Sequence, residues 1–139
     1  MSAFPDHDGP RIYGLPPGVD FIKLPSLAKV SRDVWQPSSL RISSERARDL
    51  RGGLIERTVE VFRPDVVLVD HEPAGVQDEL VPTLMALRNL HGSPHVVLGL
   101  RDILDTPERT IAQWRKRGTD RVMREYYDEV LIYGDRDVY

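Results

Sequence analysis

Three groups of side chains able to move protons or grip anions stand directly after apolar runs. They are Asp70-His71-Glu72 after Val66-Val67-Leu68-Val69, Arg101-Asp102 after Val96-Val97-Leu98-Gly99-Leu100, and Asp135 after Val130-Leu131-Ile132-Tyr133-Gly134. A histidine or carboxylate that titrates near the working pH can take a proton from a hydroxyl, which makes Asp70 and His71 candidate general bases. An arginine fork with an adjacent acid can clamp a phosphate or carboxylate, the role open to Arg101 with Asp102. Glu72 and Asp135 are candidate substrate contacts at the same edge, and Trp35 is the aromatic considered for stacking on a ligand. Each has a plainer alternative: Asp70 can pin its loop through backbone N–H groups, Arg101-Asp102 can be an internal ion pair, and Asp135 can be a turn residue. His71-Glu72-Pro73 begins like a zinc-binding H-E-x-x-H, but residue 75 is Gly75, and His7, His91 and His95 lack ligand spacing, so no metal is expected.

The apolar runs that carry these groups are rich in β-branched residues and show no alternation, as in parallel strands buried on both faces by helices. Charges then belong at the strand ends, because burying them would be costly. In open α/β sheets the carboxyl ends border the ligand crevice. Upstream, residues 1–18 form an irregular lead-in with the turn Pro16-Pro17-Gly18, residues 19–24 read as a short strand stopped by Pro25, and residues 25–42 read as a long loop containing Trp35. A helix is expected from Ser43 or Ser44 to just before Pro64, with Gly52-Gly53 tolerable where another backbone comes close. Val76, Leu80, Leu84 and Leu87 mark the next helix, with Pro82 in its first turns. Thr106-Pro107-Glu108 announces another that Gly118 stops, and Thr119 opens a short one before the last strand. Trp114, Tyr126 and Tyr127 fall at helical spacing and are expected in the core or an interface. Strands alternating with helices imply a Rossmann-like three-layer α/β domain with a mainly parallel sheet, spanning residues 19–139.

The chain has 139 residues, 40% of them hydrophobic and 29% charged, with a formal net charge of −3 and no cysteine. That is one domain's worth of core, with no disulfide framework or thiolate chemistry and no global positive charge to attract nucleic acid. No apolar stretch approaches a membrane span, and the cytoplasm is the expected compartment. Arg115-Lys116-Arg117 with Arg121 and Arg124 forms a basic patch, expected to be a solvated helix face and otherwise a peripheral membrane contact. No G-x-G-x-x-G and no P-loop motif occurs, and no strand with a glycine-rich turn into a helix precedes Val19. An incomplete domain is therefore expected, lacking its first βα unit and any helix after the last strand. Such a fragment should expose sheet edges and self-associate.

Several segments, in order, resemble the N-terminal domain of predicted bacterial glycosyltransferases of GT-B architecture, similar to the peptidoglycan N-acetylglucosaminyltransferases. They are Leu15-Pro16-Pro17-Gly18-Val19-Asp20 with Lys23-Leu24-Pro25-Ser26, Phe62-Arg63-Pro64-Asp65 into Val69-Asp70, Gly99 to Asp105, and Tyr126-Tyr127-Asp128-Glu129-Val130 into Tyr133-Gly134-Asp135. The Gly99–Asp105 string is the most specific, and the resemblance covers about residues 15–139. It implies that this domain receives the sugar acceptor, that a C-terminal domain absent from this chain holds a nucleotide-sugar donor, and that this chain alone is inactive and holds no cofactor. The alternatives are a non-catalytic α/β module for a small anion or a protein, and part of a sugar-nucleotide epimerase.

Overall fold

The computed structural model describes residues 15–31, 34–101, 111–112, 114–116 and 118–134. Its elements are β1 (Leu27–Ser31), β2 (Val34–Pro37), α1 (Ser44–Phe62), β3 (Val66–Asp70), a 3₁₀ turn (Val76–Asp78), α2 (Val81–Arg88), β4 (His95–Arg101), α3 (Thr119–Tyr126) and β5 (Glu129–Tyr133). Residues 111–112 and 114–116 are also helical. The chain is thus a mixed α/β fold built on a parallel sheet in the order β3-β4-β5.

Local chemistry sets the element ends. Ser43, in extended conformation, caps α1 by accepting from the Arg46 N–H at 3.2 Å, as its position before the helical run predicts. The α1 C-cap is Arg63 in the left-handed region, φ 50°, because the following Pro64 disfavours a further right-handed turn. Pro82 stands in the first turn of α2, where its missing N–H costs nothing.

The sheet register pairs Val66, Val67, Leu68, Val69 and Asp70 with His95 through Gly99, and Val97 through Arg101 with Glu129 through Tyr133. Val67, Val69, Val96, Leu98 and Leu100 therefore share one face. On it Leu84 and Leu87 of α2, Tyr126 of α3 and Tyr127 complete the core, with Val59 of α1, Val122, Met123 and Trp114 packed around them. Trp114, Tyr126 and Tyr127 thus serve the core.

The expectation of strands buried on both faces holds for β4, whose Val96, Val97, Leu98 and Leu100 are all buried, and not for β3 and β5. Only β4 is buried along most of its length; Val66 and Leu68 are each 57% exposed, and all of β5 is exposed. The strand order explains this. Each step from β3 to β4 to β5 goes the same way, and right-handed crossovers stepping one way place their helices on one face. Among the described residues the other face carries Val66, Leu68, Val97, Gly99, Leu131 and Tyr133 without a helix over them. Gly99 lets the Tyr133 ring lie across the sheet there: a Cβ on Gly99 would collide with that ring.

A second correction concerns the N-terminal part. Residues 19–26 have no regular structure, and the stretch read as a loop contains the antiparallel hairpin β1-β2, which puts Trp35 on a strand opposite Lys29. The ribbon is largely exposed and so lacks an apolar run or alternation to announce it. An isolated two-stranded ribbon is marginal. This one is tied to α1, where the Ser44 hydroxyl donates to the Trp35 carbonyl at 2.9 Å.

Asp128 joins the layers ahead of β5. Its carboxylate accepts from the Val96 N–H and from Arg88 Nη1, both at 2.8 Å, and these bonds hold its pKa below the usual aspartate value, the Val96 bond contributing most. A depressed folded-state pKa supplies stability that is present above the unfolded value near pH 4 and lost as pH falls through the folded value. Chemical denaturation across that acid range should show the wild type losing stability while Asp128→Asn, already weaker at neutral pH, changes less.

Candidate functional site

The segment leaving β3 is held in an unusual backbone path. The His71 N–H donates to the Gly99 carbonyl at 2.8 Å, keeping it against β4, and the Glu72 N–H returns to the Asp70 carbonyl at 2.8 Å. That bond closes a three-residue turn with His71 at its apex, φ 68°, a left-handed conformation rare for a residue with a Cβ. Gly75, φ 73°, follows; a side chain there would strike Leu80 and Glu79. Gln77 and Asp78 are both left-handed as well.

Two clamps hold this path. The Tyr127 hydroxyl donates to the Pro73 carbonyl at 2.6 Å, and burial pushes its pKa upward, which keeps it a donor. Arg51 of α1 grips Glu79 with two parallel bonds, Nε to Oε2 at 2.6 Å and Nη2 to Oε1 at 2.7 Å, the side chains being only 14% and 4% exposed. The third Arg51 nitrogen, Nη1, donates to the Pro25 carbonyl at 2.7 Å. Gly52 permits this approach, because a Cβ there would sit 3.0 Å from the Glu79 carbonyl oxygen. One of the two mid-helix glycines thus answers to a close backbone, while Gly53 has open space beside it.

Between this loop and the hairpin lies a cavity of about 380 Å³. Trp35 and Lys29 line it from the hairpin, Glu72, Gln77 and Asp78 from the loop, and Thr119 from the start of α3. The Lys29 ammonium stands 5.8 Å from the centre of the Trp35 ring, within cation–π range. The site therefore offers an indole, a cation, two carboxylates and an amide at the carboxyl end of a parallel strand.

Of the candidates read from the sequence, Trp35 and Glu72 meet in this cavity. Neither Asp70 nor His71 lines it. Asp70 is exposed on the sheet face that carries Val66 and Leu68, and His71 is half-buried, its Nδ1 buried without a hydrogen bond among the described residues. Arg101 closes β4 in register with Tyr133. Asp102 and Asp135 lie outside the described residues. Lys29, Gln77 and Asp78 escaped the sequence reading because they belong to a hairpin and a left-handed turn that periodicity does not reveal. Among the described residues no group of three or more His, Asp or Glu could hold a metal ion, and no helix is long and apolar enough to cross a membrane.

The fold and site together define a mixed α/β protein with a polar, aromatic-lined cavity at the carboxyl edge of its parallel sheet. Compared with protein-family models, curated sequences and solved structures, the chain matches none.

The Arg51–Glu79 pair should govern this site. Removing one member of a buried pair strands the other, at a cost of about 3 kcal/mol. Urea unfolding of Glu79→Gln should show a loss of that order, whereas Arg57→Gln, which breaks the exposed pair with Glu60, should stay within about 0.5 kcal/mol of wild type.

Proposed function

We propose that this chain forms the acceptor side of a glycosyltransferase of GT-B architecture. A sugar acceptor binds in the cavity beside Trp35, and a nucleotide-sugar, a UDP-sugar by the resemblance, is presented by a separate donor domain. The observation that carries this reading is the convergence of Trp35 and Glu72 in one cavity at the strand's carboxyl end. A sugar ring offers an apolar face to an indole and a rim of hydroxyls to carboxylates and amides, which is what Trp35, Glu72, Gln77 and Asp78 provide. Glu72 is then the carboxylate at hand to take the proton from an acceptor hydroxyl, with Asp70 and His71 next along the chain as the other candidates. Arg101, at the end of β4, is the remaining candidate for anchoring an anionic group.

Trp35 makes the test direct. In a Trp114→Phe background, a panel of mono- and disaccharides is titrated against tryptophan emission, with UDP as the control. At least one saccharide should shift the emission saturably, and UDP should not. Trp35→Ala and Glu72→Gln should each weaken saccharide binding by about tenfold, the loss expected for an aromatic contact or a charged hydrogen bond. Binding of UDP with no response to any saccharide would overturn the acceptor-side assignment.

The exposed sheet face of β3 and β5 supports a second reading, in which the chain works joined to a partner protein or to another copy of itself. Val66, Leu68, Leu131 and Tyr133 form an exposed apolar face, of the kind that marks interaction sites. Sedimentation velocity should show the mass rising with concentration and Leu68→Lys with Leu131→Lys suppressing the rise; a monomer at every concentration removes self-association.

A further inference from the structure

The two outer strands of the parallel sheet, β3 and β5, differ in how far the helix layer covers them. On β3 the helix-side residues are half-buried Val67 and buried Val69, whereas all five residues of β5 are exposed. Val130 and Ile132 pair with Leu98 and Leu100 and so share the face that holds the core. They are nonetheless 44% and 66% exposed, so the helices stop short of them. Leu131 and Tyr133 are exposed on the opposite face.

The outer edge of β5 is also unguarded. Among the described residues no strand pairs with its outward backbone N–H and C=O groups. Free edges are usually blunted by lysine, proline or a bulge, and Glu129-Val130-Leu131-Ile132-Tyr133 runs in unbroken register with none of these. Its one charge stands at the first position, where Glu129 meets His95 at 3.3 Å.

A strand apolar on both faces calls for a partner strand apolar on both faces, and a second β5 meets that requirement. Antiparallel pairing about a two-fold axis at Leu131 is the register that matches all five residues of each copy. Leu131 then faces its own equivalent, Val130 faces Ile132 of the partner subunit, and Glu129 faces Tyr133 of the partner subunit. The two carboxylates lie at opposite ends of the seam, so no like charges oppose each other. Facing residues lie on the same side of the sheet, so Val130 and Ile132 of both copies gather beside the helix layers and extend the core across the seam. Because both copies use the same edge, the contact closes as a dimer.

We propose that two copies of this chain join through β5, antiparallel and centred on Leu131, into one continuous sheet. This contact is distinct from stacking of the face that bears Val66 and Leu68, and it does not depend on the glycosyltransferase reading.

Sedimentation equilibrium of the full chain should show a monomer–dimer equilibrium. Ile132→Lys, at a position exposed in the monomer, puts a charge in the seam and should weaken the dimer about tenfold with an unchanged circular dichroism spectrum. Leu68→Lys alone should leave the dimer intact. The chain has no cysteine, so Leu131→Cys reads the register directly. Facing residues stand about 5 Å apart between Cα atoms, within disulfide range, and oxidation should link the two copies. Ile132→Cys, displaced along the seam from its equivalent, should link much more slowly. A monomer at every concentration, assemblies larger than a dimer, an undiminished dimer in Ile132→Lys, loss of the dimer in Leu68→Lys, or equal cross-linking of the two cysteine variants would each overturn the proposal.

Discussion

The bidentate pair between Arg51 and Glu79 is the constraint on which the carboxyl-edge architecture depends. Burying two charges is tolerable when geometry is good and the remaining donors are satisfied. Both conditions are met, because Arg51 spends its third nitrogen on the Pro25 carbonyl and Gly52 lets the loop backbone close to contact distance. One side chain thereby ties α1 to the loop after β3 and to the approach to the hairpin. The left-handed residues of that loop are held in place by this clamp and by Tyr127 on Pro73, so Glu72, Gln77 and Asp78 line a cavity rather than fan out into solvent.

Strand order imposes the second constraint. Because β3, β4 and β5 step in one direction, the helices collect on one face and build a single core around Leu84, Leu87 and Leu98. The helix ends then frame two cavities at opposite ends of the sheet, one beside the hairpin and one between the last turns of α1 and α2. On the other face Val66, Leu68, Leu131 and Tyr133 are exposed, while Val97 is buried and the Tyr133 ring lies across Gly99.

Much of the fold is legible in the sequence where a strong local pattern exists. The three β-branched runs became β3, β4 and β5, the serine cap and Pro64 bounded α1, and Pro82 marked the opening of α2. The hairpin was not legible, since an exposed ribbon held by Ser44 and its own ladder needs no apolar periodicity. Nor was the one-sided layering, because a continuous apolar run fits burial on both faces and on one face equally well. Trp35 and Glu72 were recognised as separate candidates; their meeting was not, since 37 residues of chain separate them.

The sequence by itself determined which segments become parallel strands and helices, and that charged residues sit where the strands end, because burial of apolar runs and exclusion of charge act locally along the chain. Only the tertiary structure decided which of those residues share a site. Arg51 and Glu79 are 28 residues apart, and nothing in either segment names the other. Their pairing is chosen by how α1 docks against the loop after β3, and that docking gathers Trp35, Glu72, Gln77 and Asp78 around one cavity that Asp70 and His71 do not line.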